Sequence, residues 1–331
     1  NMNIVIVIPT YNEKENIQKL IPAIDKSISN SKLIYKVLIV DGNSPDGTYQ
    51  EAINLSKDYK FVHAIKENNK AGLGSAYLFG FNYALNKLNA DIVVEMDADF
   101  QHDPKYLNTL VAPIVNNQSD YVIGSRFTKG GSIPKEWALY RKILSVGGNL
   151  ISKIVLGIYT LNDFTSGFKA SRVKGFVDKI NFDQVSSKGF AYKMDLLYKM
   201  HKLKARITEI PIEFGVRDRG DSKMEKSNAM DSLKVVFMLR IKDNKSFFKF
   251  VIVGFIGLFV DAGLFNIFRF LAVISAYNSA IVSGLIAMIT TFLFNNFWSF
   301  GERKLKITFG KFMGFVFYLL LGLILHYTLY I

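Results

Sequence analysis

The stretch Val93-Val94-Glu95-Met96-Asp97-Ala98-Asp99-Phe100-Gln101 joins an apolar run to a cluster of polar side chains. Asp97 and Asp99 are two residues apart, and the amide of Gln101 follows two residues later. Hard oxygen donors at this spacing can hold Mg²⁺ or Mn²⁺ and leave positions for phosphate oxygens. An Asp-x-Asp pair also occurs in ordinary turns and helix caps, so its meaning depends on its place in the fold.

Strand-like and helix-like segments alternate on both sides of this stretch. Apolar runs predict strands at residues 3–8, 35–40, 61–65, 91–96 and 121–124. Helical spacing predicts helices at residues 13–29, 46–55, 73–88 and 104–115. Apolar strands separated by helices indicate an α/β fold with a mainly parallel sheet covered on both faces. Ligands bind beyond the carboxyl ends of such strands, which here are the polar segments 9–13, 41–47, 97–101 and 125–127.

The C-terminal part of the chain predicts a membrane domain. Residues 246–331 hold six Lys or Arg and two Asp or Glu, out of 41 and 28 in the 331-residue chain. The segments 247–272, 277–300 and 312–331 are each long enough to cross a bilayer as a helix. Two charged residues, Asp261 and Arg269, interrupt the first segment. We interpret them as a contact that pairs two helices, or, for Arg269, as a side chain that reaches the membrane surface, rather than as a functional site.

The positions of basic residues predict the orientation of these spans. Lys and Arg precede the first span and separate the second from the third, so the N-terminal part should be cytoplasmic. Residues 2–8 are too short for a secretory signal. The sequence ends inside an apolar run, which leaves a further span beyond Ile331 open. We expect a multi-pass membrane protein with domains at 1–226, 227–246 (a juxtamembrane helix) and 247–331.

Composition and missing motifs exclude several classes of protein. The chain has no Cys, which excludes a disulfide scaffold and a Cys-ligated zinc module. Neither a Gly-x-Gly-x-x-Gly after the first strand nor a P-loop motif is present, which disfavours a dinucleotide-binding domain and a P-loop NTPase. The net charge of +13 comes without a recognised nucleic-acid module, so binding to lipid and phosphate explains the charge better.

Residues 139–156 and 230–241 are predicted to form basic amphipathic helices at a membrane surface, or helices packed on the sheet.

Several motifs in one order resemble family 2 glycosyltransferases of the GT-A fold. They are Pro9-Thr10-Tyr11-Asn12-Glu13, Val40-Asp41 with Ser44-Pro45-Asp46-Gly47-Thr48, Asp97-Ala98-Asp99-Phe100-Gln101-His102 and Gly124-Ser125-Arg126. Three later motifs narrow the resemblance to dolichol-phosphate mannose synthases and their relatives: Tyr140-Arg141-Lys142, Asp163-Phe164-Thr165-Ser166-Gly167-Phe168 and Arg217-Asp218-Arg219-Gly220-Asp221-Ser222-Lys223. The tail resembles the GtrA-like membrane domain attached to some of these enzymes.

The resemblance implies inverting transfer of mannose from GDP-mannose to a polyprenyl (dolichyl) phosphate in the membrane. A divalent metal, Mg²⁺ or Mn²⁺, would be held by Asp97, Asp99 and Gln101. Arg126, Arg141 and Ser145 would receive the acceptor phosphate. The residues implied to bind the nucleotide sugar are Pro9, Tyr11, Glu13, Val40, Asp41, Asp97, Ala98, Asp99, Gln101, Arg217 and Lys223.

Several alternatives remain open at this point. Asp41 could instead hold a turn in which Ser44 or Asp46 caps the next helix, and Arg126 could pair with a nearby carboxylate. The donor could be another nucleotide hexose such as UDP-glucose. A protein of a different class, a lipid-linked-sugar flippase with an inactive catalytic domain, is the competing function. Association into oligomers through the transmembrane helices is a further expectation.

Overall fold

The computed structural model describes residues 2–68, 72–186, 189–216, 226–271, 275–301, 314 and 317. The chain divides into two compact units, Asn1–Arg240 and Ile241–Ile331. The division falls between the boundaries predicted at 226 and 246, and the three-part domain scheme itself stays a prediction.

The N-terminal unit alternates strands and helices along most of its length. Its strands are β1 (Asn3–Thr10), β2 (Ile34–Asp41), β3 (Val62–Lys66), β4 (Ile92–Glu95), β5 (Tyr121–Ser125), β6 (Lys169–Arg172) and β7 (Ile207–Pro211). Its helices are α1 (Lys14–Ile28), α2 (Thr48–Asp58), α3 (Leu73–Asn86), α4 (Leu107–Val115), α5 (Leu139–Leu156), α6 (Tyr192–Lys202) and the start of α7 (Lys226–Asp243). The five predicted strands and four predicted helices are all present, with ends that differ by a few residues.

The strands form one seven-stranded sheet in the order β3-β2-β1-β4-β6-β5-β7. Strand β6 is antiparallel to both neighbours, and every other pair is parallel. This confirms the predicted α/β fold with a mainly parallel sheet. Strands β6 and β7 were not predicted, because β6 is the four-residue polar segment Lys-Ala-Ser-Arg and carries no apolar run.

Two apolar layers cover the two faces of the sheet. Alternate residues of a strand point to opposite faces, so Val5 and Val7 of β1 join one layer while Ile4 and Ile6 join the other. The first layer packs against α3, α6 and part of α7, and the second against α1, α2 and α4. With both faces covered, the open positions lie at the strand ends.

The C-terminal unit contains two described helices that are long and apolar enough to cross a membrane, Lys245–Leu271 and Ala276–Ser299. Each is an α-helix, α8 (Lys245–Asn266) or α9 (Ala276–Phe294), that continues into a π-helical turn. Asp261 on α8 accepts a 2.6 Å hydrogen bond from Ser283 of α9, which matches the predicted helix pair. The predicted span at 312–331 lies outside the described residues, apart from Gly314 and Phe317.

Candidate active site

The carboxyl ends of the parallel strands bring the predicted polar segments to one edge of the sheet. Thr10 ends β1 and is the register partner of Asp41, which ends β2. Strand β4, on the other side of β1, leads directly into the Asp97–Gln101 turn. The first, second and fourth strands therefore deliver their polar segments side by side, as parallel sheets do.

The carboxylate of Asp97 is held by side chains from three separate parts of the chain. Tyr77 on α3 donates a 2.8 Å hydrogen bond to Oδ1. Nζ of Lys193 on α6 lies 3.8 Å from Oδ2, and Nε2 of His102 lies 3.9 Å from the same oxygen. The backbone amide of Asp97 donates to Nδ1 of His102 at 2.9 Å, which fixes the turn.

The side chain of His102 is buried and packs behind this turn. Its ring is 1% exposed and stacks on Phe168, with 5.1 Å between the ring centroids. Burial lowers the pKa of His102 to about 4, although the charge of Asp97 acts in the opposite direction. The ring is therefore neutral near pH 7, and because Nδ1 accepts a hydrogen bond, its proton lies on Nε2, on the side of Asp97.

Gly167 makes room for Lys193 beside Asp97. A Cβ atom at Gly167 would overlap Lys193 Nζ and would lie 3.0 Å from His102 Cε1 and 3.2 Å from Asp97 Oδ2. Any side chain at this position would displace the ammonium group or the carboxylate. Lys193 is 5% exposed, so a buried cation lies beside the first of the two aspartates.

Asp99 and Gln101 continue the turn after β4. The backbone amide of Gln101 donates to Oδ1 of Asp99 at 3.1 Å. Phe100 between them has φ +61°, a left-handed conformation that is uncommon for a bulky residue and typical of strained functional turns. Asp99 and Gln101 are 6% and 5% exposed, whereas the Asp97 side chain is 24% exposed, so Asp97 is the more accessible of the two carboxylates.

The turn offers oxygen atoms of the type that a divalent cation binds, and the metal site predicted here stays a prediction. Within the described ranges, no group of three or more His, Asp or Glu side chains is arranged to hold a metal ion. Asp97, Asp99 and the amide of Gln101 are hard oxygen donors, which fit Mg²⁺ or Mn²⁺. A cation held by so few protein groups takes its remaining oxygens from water and from phosphate.

Arg126, which follows β5, is paired with a buried carboxylate. Its Nε and Nη2 donate to the two oxygens of Asp163 at 2.8 and 2.7 Å, and Nη2 also donates to Thr165 Oγ1 at 2.6 Å. Burial alone would raise the pKa of Asp163, but the charge and hydrogen bonds of Arg126 outweigh it and lower that pKa. Nη1 has no hydrogen-bond partner in the part of the chain that the structure describes.

Aromatic rings connect Arg126 to Arg141, the second predicted arginine. The guanidinium of Arg141 on α5 lies 3.9 Å from the ring centroid of Trp137. Trp137 meets Phe214 edge to face, with 5.7 Å between centroids, and the Arg126 guanidinium lies 5.2 Å from the Phe214 ring. Phe214 also contacts His102, with 5.6 Å between their centroids. The arginines and Asp97 therefore belong to one connected cluster.

Helix α5 carries Arg141 and Ser145 on the same face as the buried Asn149, because these residues are four apart. Asn149 donates to the carbonyl oxygen of Ser145 at 2.9 Å and to Thr165 Oγ1 at 3.3 Å. Its Oδ1 accepts from the backbone amide of Phe164 at 2.7 Å. Asn149 therefore connects α5, which carries the residues predicted to bind the acceptor phosphate, to the loop that holds Arg126.

Comparison with known proteins identifies the family. Residues 5–178 match "Glycosyl transferase family 2", more than half of the chain. The chain belongs to glycosyltransferase family 2. Residues 249–331 match the "GtrA/DPMS, transmembrane domain", so the enzyme is a membrane protein. Both assignments agree with the resemblance seen in the sequence motifs.

Two curated relatives of the enzyme have related names. "Dolichol-phosphate mannosyltransferase" of Pyrococcus furiosus is 32% identical over 333 residues, which cover 99% of this chain and 90% of the relative. "Undecaprenyl-phosphate mannosyltransferase" of Micrococcus luteus is 37% identical over 223 residues, which cover 67% of this chain and 88% of the relative. Glucosyl-3-phosphoglycerate synthase from Mycobacterium tuberculosis, solved with Mn²⁺ and UDP-glucose among its ligands, aligns with a TM-score of 0.51 at 18% identity. That alignment covers 72% of this chain and 80% of the synthase, and it shows the fold.

The residues predicted to bind the nucleotide lie at the ends of β1 and β2. Asp41 is fully buried and accepts hydrogen bonds from Thr10 Oγ1, Ser44 Oγ and the Ser44 amide at 3.2, 2.6 and 2.9 Å. The turn interpretation of Asp41 is therefore what the geometry shows, and its contact with a nucleotide stays a prediction. The other predicted members that the structure describes, Pro9, Tyr11, Glu13 and Val40, are at the ends of the same two strands or directly after them.

Two predicted site residues cannot be placed, and several neighbours of the site were not predicted. Arg217 and Lys223 lie outside the described residues. Lys193 is not among the predicted site residues, and its contact with Asp97 joins positions 96 residues apart in the chain. The Asp163 carboxylate lies in a motif that the sequence does single out, and its partner Arg126 is 37 residues away.

Proposed function

We propose that the enzyme transfers mannose from GDP-mannose to a polyprenyl phosphate in the membrane, with inversion at the sugar carbon. The observation that carries the proposal is the connected cluster of Asp97, His102, Phe214, Arg126 and Arg141. It joins the acidic turn where a donor diphosphate would bind to two arginines suited to a second phosphate. The names of the curated relatives support mannose as the sugar and a polyprenyl phosphate as the acceptor.

On the donor side, Asp97, Asp99 and Gln101 would hold a divalent cation together with the nucleotide sugar. Such a cation, when bound, supplies positive charge that stabilises the leaving diphosphate. Tyr77 and Lys193 keep the Asp97 carboxylate in one orientation through the contacts to Oδ1 and Oδ2. Ala98 places the two carboxylates two residues apart, and Arg217 and Lys223 would bind donor phosphates.

On the acceptor side, Arg126, Arg141 and Ser145 would bind the lipid phosphate. A guanidinium can bind phosphate through two hydrogen bonds. Asp163 occupies Nε and Nη2 of Arg126, which leaves the Nη1 edge for a ligand. The acceptor phosphate is already anionic near neutral pH, so the chemistry rests on alignment and charge stabilisation rather than on a strong general base.

The surface of α5 supports contact with the membrane at this point. Its apolar residues Ile143, Val146, Leu150 and Ile154 are 60%, 51%, 56% and 58% exposed. A helix that presents such residues outward and basic residues beside them fits the interface of a bilayer. Helix α7 is mixed, with Val236 fully buried and Phe237 50% exposed. We propose that the catalytic unit lies on the cytoplasmic side and that the membrane unit is multi-pass.

The direct test is sugar transfer by the purified full-length protein in phospholipid nanodiscs with a short polyprenyl phosphate. We expect mannose to be transferred from GDP-mannose when Mg²⁺ or Mn²⁺ is present and EDTA to stop the reaction. Preferential use of UDP-glucose would replace mannose by glucose while leaving the reaction class intact. No turnover with any donor, combined with movement of lipid-linked sugar across the membrane, would favour the flippase alternative.

One variant tests the donor side of the site, and another tests the acceptor side. We expect Asp99→Ala to abolish transfer in a protein that keeps its thermal unfolding midpoint. Arg141→Ala should raise the KM for polyprenyl phosphate much more than the KM for the donor. Lys142→Ala is the matched control, because Lys142 is the neighbouring cation and its Nζ donates to the carbonyl oxygen of Lys135. Equal effects of Arg141→Ala on both KM values would argue against acceptor binding.

A further inference from the structure

A carboxylate with no assigned role lies beside the predicted nucleotide segment. Glu67 directly follows β3 and is 9% exposed. Its backbone amide donates a 2.8 Å hydrogen bond to the carbonyl oxygen of Asp41. Because β3 and β2 are parallel neighbours, this bond places Glu67 at the same edge of the sheet as Asp41 and the residues that follow β1.

One oxygen of Glu67 is open to a ligand. Ser75 Oγ lies 3.4 Å from Oε1, whereas Oε2 accepts no hydrogen bond from the chain in the ranges that the structure describes. Asp41 differs from Glu67, because donors from Thr10 and Ser44 already occupy both of its oxygens. Oε2 of Glu67 is not enclosed by protein atoms, so it can accept hydrogen bonds from a ligand at this edge of the sheet.

The space in front of this oxygen is created by Gly42. A Cβ atom at Gly42 would lie 3.9 Å from Glu67 Oε2 and 3.6 Å from Cδ2 of the Tyr11 ring. The absence of a side chain at residue 42 therefore leaves a gap that is bordered by a carboxylate on one side and an aromatic ring on the other. A planar group that can stack on a ring and donate hydrogen bonds at its edge suits such a gap.

We propose that Glu67 reads the base of the donor nucleotide and selects guanine over uracil. The inference rests on the proposed function, since it needs a nucleotide sugar as the donor. Guanine presents two adjacent donors at its pairing edge, the ring N–H and the exocyclic amino group, and both can bond to one carboxylate. Uracil presents a single N–H between two carbonyl oxygens, which would face the carboxylate with like partial charge.

Titration calorimetry of GDP and UDP binding to the full-length protein with Mg²⁺ tests the inference. The wild-type protein should bind GDP more tightly than UDP. Glu67→Gln keeps the size of the side chain but turns one acceptor into a donor, which matches the N–H and carbonyl of uracil. We expect this variant to weaken GDP binding roughly tenfold or more, the value of a good bidentate contact, and to leave UDP binding equal or tighter. Asp58→Asn, an exposed position on α2, is the control for the lost charge.

Gly42→Ala provides a second test that does not alter the carboxylate. The new methyl group would make only ordinary contacts, with a nearest distance of 3.5 Å to the carbonyl oxygen of Thr10, so the fold should tolerate it. It would fill the gap, and we expect weaker binding of GDP with an unchanged unfolding midpoint. GDP binding equal to that of the wild type would show that the gap is not the base pocket.

The outcomes separate this inference from the proposed function. An unchanged ratio of GDP to UDP affinity in Glu67→Gln, or an equal loss for both nucleotides, would overturn the role of Glu67 while transfer to polyprenyl phosphate by the wild type still stood. A wild-type preference for UDP would overturn guanine selection. A wild-type protein that binds neither nucleotide and transfers no sugar would overturn both.

Discussion

Substitution of Asp163 should destabilise the catalytic unit more than substitution of its partner Arg126. The two side chains form a buried pair, 0% and 5% exposed, with hydrogen bonds of 2.7 and 2.8 Å. Removal of one member of such a pair costs about 3–5 kcal/mol, because it leaves a buried charge without compensation. The cost depends on which of the two residues is replaced, because the remaining hydrogen-bond partners of Asp163 and Arg126 differ.

The asymmetry follows from the remaining hydrogen bonds. In Arg126→Met, the Asp163 carboxylate still accepts from the backbone amides of Arg126, Thr165 and Ser166 at 3.0, 3.2 and 2.9 Å. In Asp163→Asn, the guanidinium keeps the Thr165 hydroxyl and one amide oxygen. We therefore expect Asp163→Asn to cost about 3–5 kcal/mol and Arg126→Met about half as much.

Thermal unfolding of the full-length protein in detergent, followed by near-ultraviolet circular dichroism, measures the difference. For a unit of this size, each kcal/mol shifts the midpoint by about 2–4 °C, so Asp163→Asn should lower the midpoint by roughly 10 °C. The double variant Arg126→Met/Asp163→Asn should be more stable than the sum of the single losses predicts. A shift below about 2 °C for Asp163→Asn, or a larger loss for Arg126→Met, would refute the reasoning.

Three further predictions concern residues around the site. The neutral His102, with its pKa of about 4 against an unperturbed 6.5, should contribute about 3 kcal/mol above pH 6.5 that is lost as the pH falls towards 4. Urea unfolding from pH 7 to pH 4 should show a smaller loss in His102→Asn, and parallel curves would contradict this. Gly80→Ala should cost about 1–3 kcal/mol in urea unfolding, because its Cβ would lie 2.5 Å from Val7 Cγ1. Gly148→Ala on α5 meets nothing within 4 Å and should not destabilise the protein. Asn149→Ala should raise the KM for polyprenyl phosphate and leave GDP binding unchanged. Ser152→Ala should change neither value, because the Ser152 hydroxyl bonds to the carbonyl oxygen of Gly148 and to Met194 Sδ and not to the Thr165 loop.

The sequence predicts the sheet and the strand ends because those features depend on local patterns. Apolar runs of the right length predicted β1 to β5, and the rule for parallel sheets then placed the segments after β1, β2 and β4 together. Strand β6 was not predicted because three of its four residues are polar and its place is set by pairing with β4 and β5. Tertiary pairing of this kind overrides local propensity.

The contacts that organise the site could not be read from the sequence, because they join distant positions. Lys193 reaches Asp97 from α6, and Phe214 contacts His102, Trp137 and Arg126 from beyond β7. No spacing rule links such residues in a single sequence. The prediction that Arg126 serves the acceptor and the alternative that it pairs with a carboxylate are compatible, because the ion pair uses only part of the guanidinium.

Helix α5 shows why an amphipathic pattern alone leaves two structures possible. The period of its apolar residues predicts one apolar face, but it does not say whether that face meets the sheet or the bilayer. The structure shows which face packs on the domain, since Asn149 and Ser152 are buried at 6% and 0% exposure while Leu150 is 56% exposed. Helix α5 is anchored to its own domain through Asn149 and presents apolar residues outward. This is the reverse of a surface helix in a soluble protein, which packs its apolar face against the core. In the proposed function, that orientation would let the same helix hold Arg141 and Ser145 at the depth of lipid headgroups, where a membrane-embedded phosphate would be found.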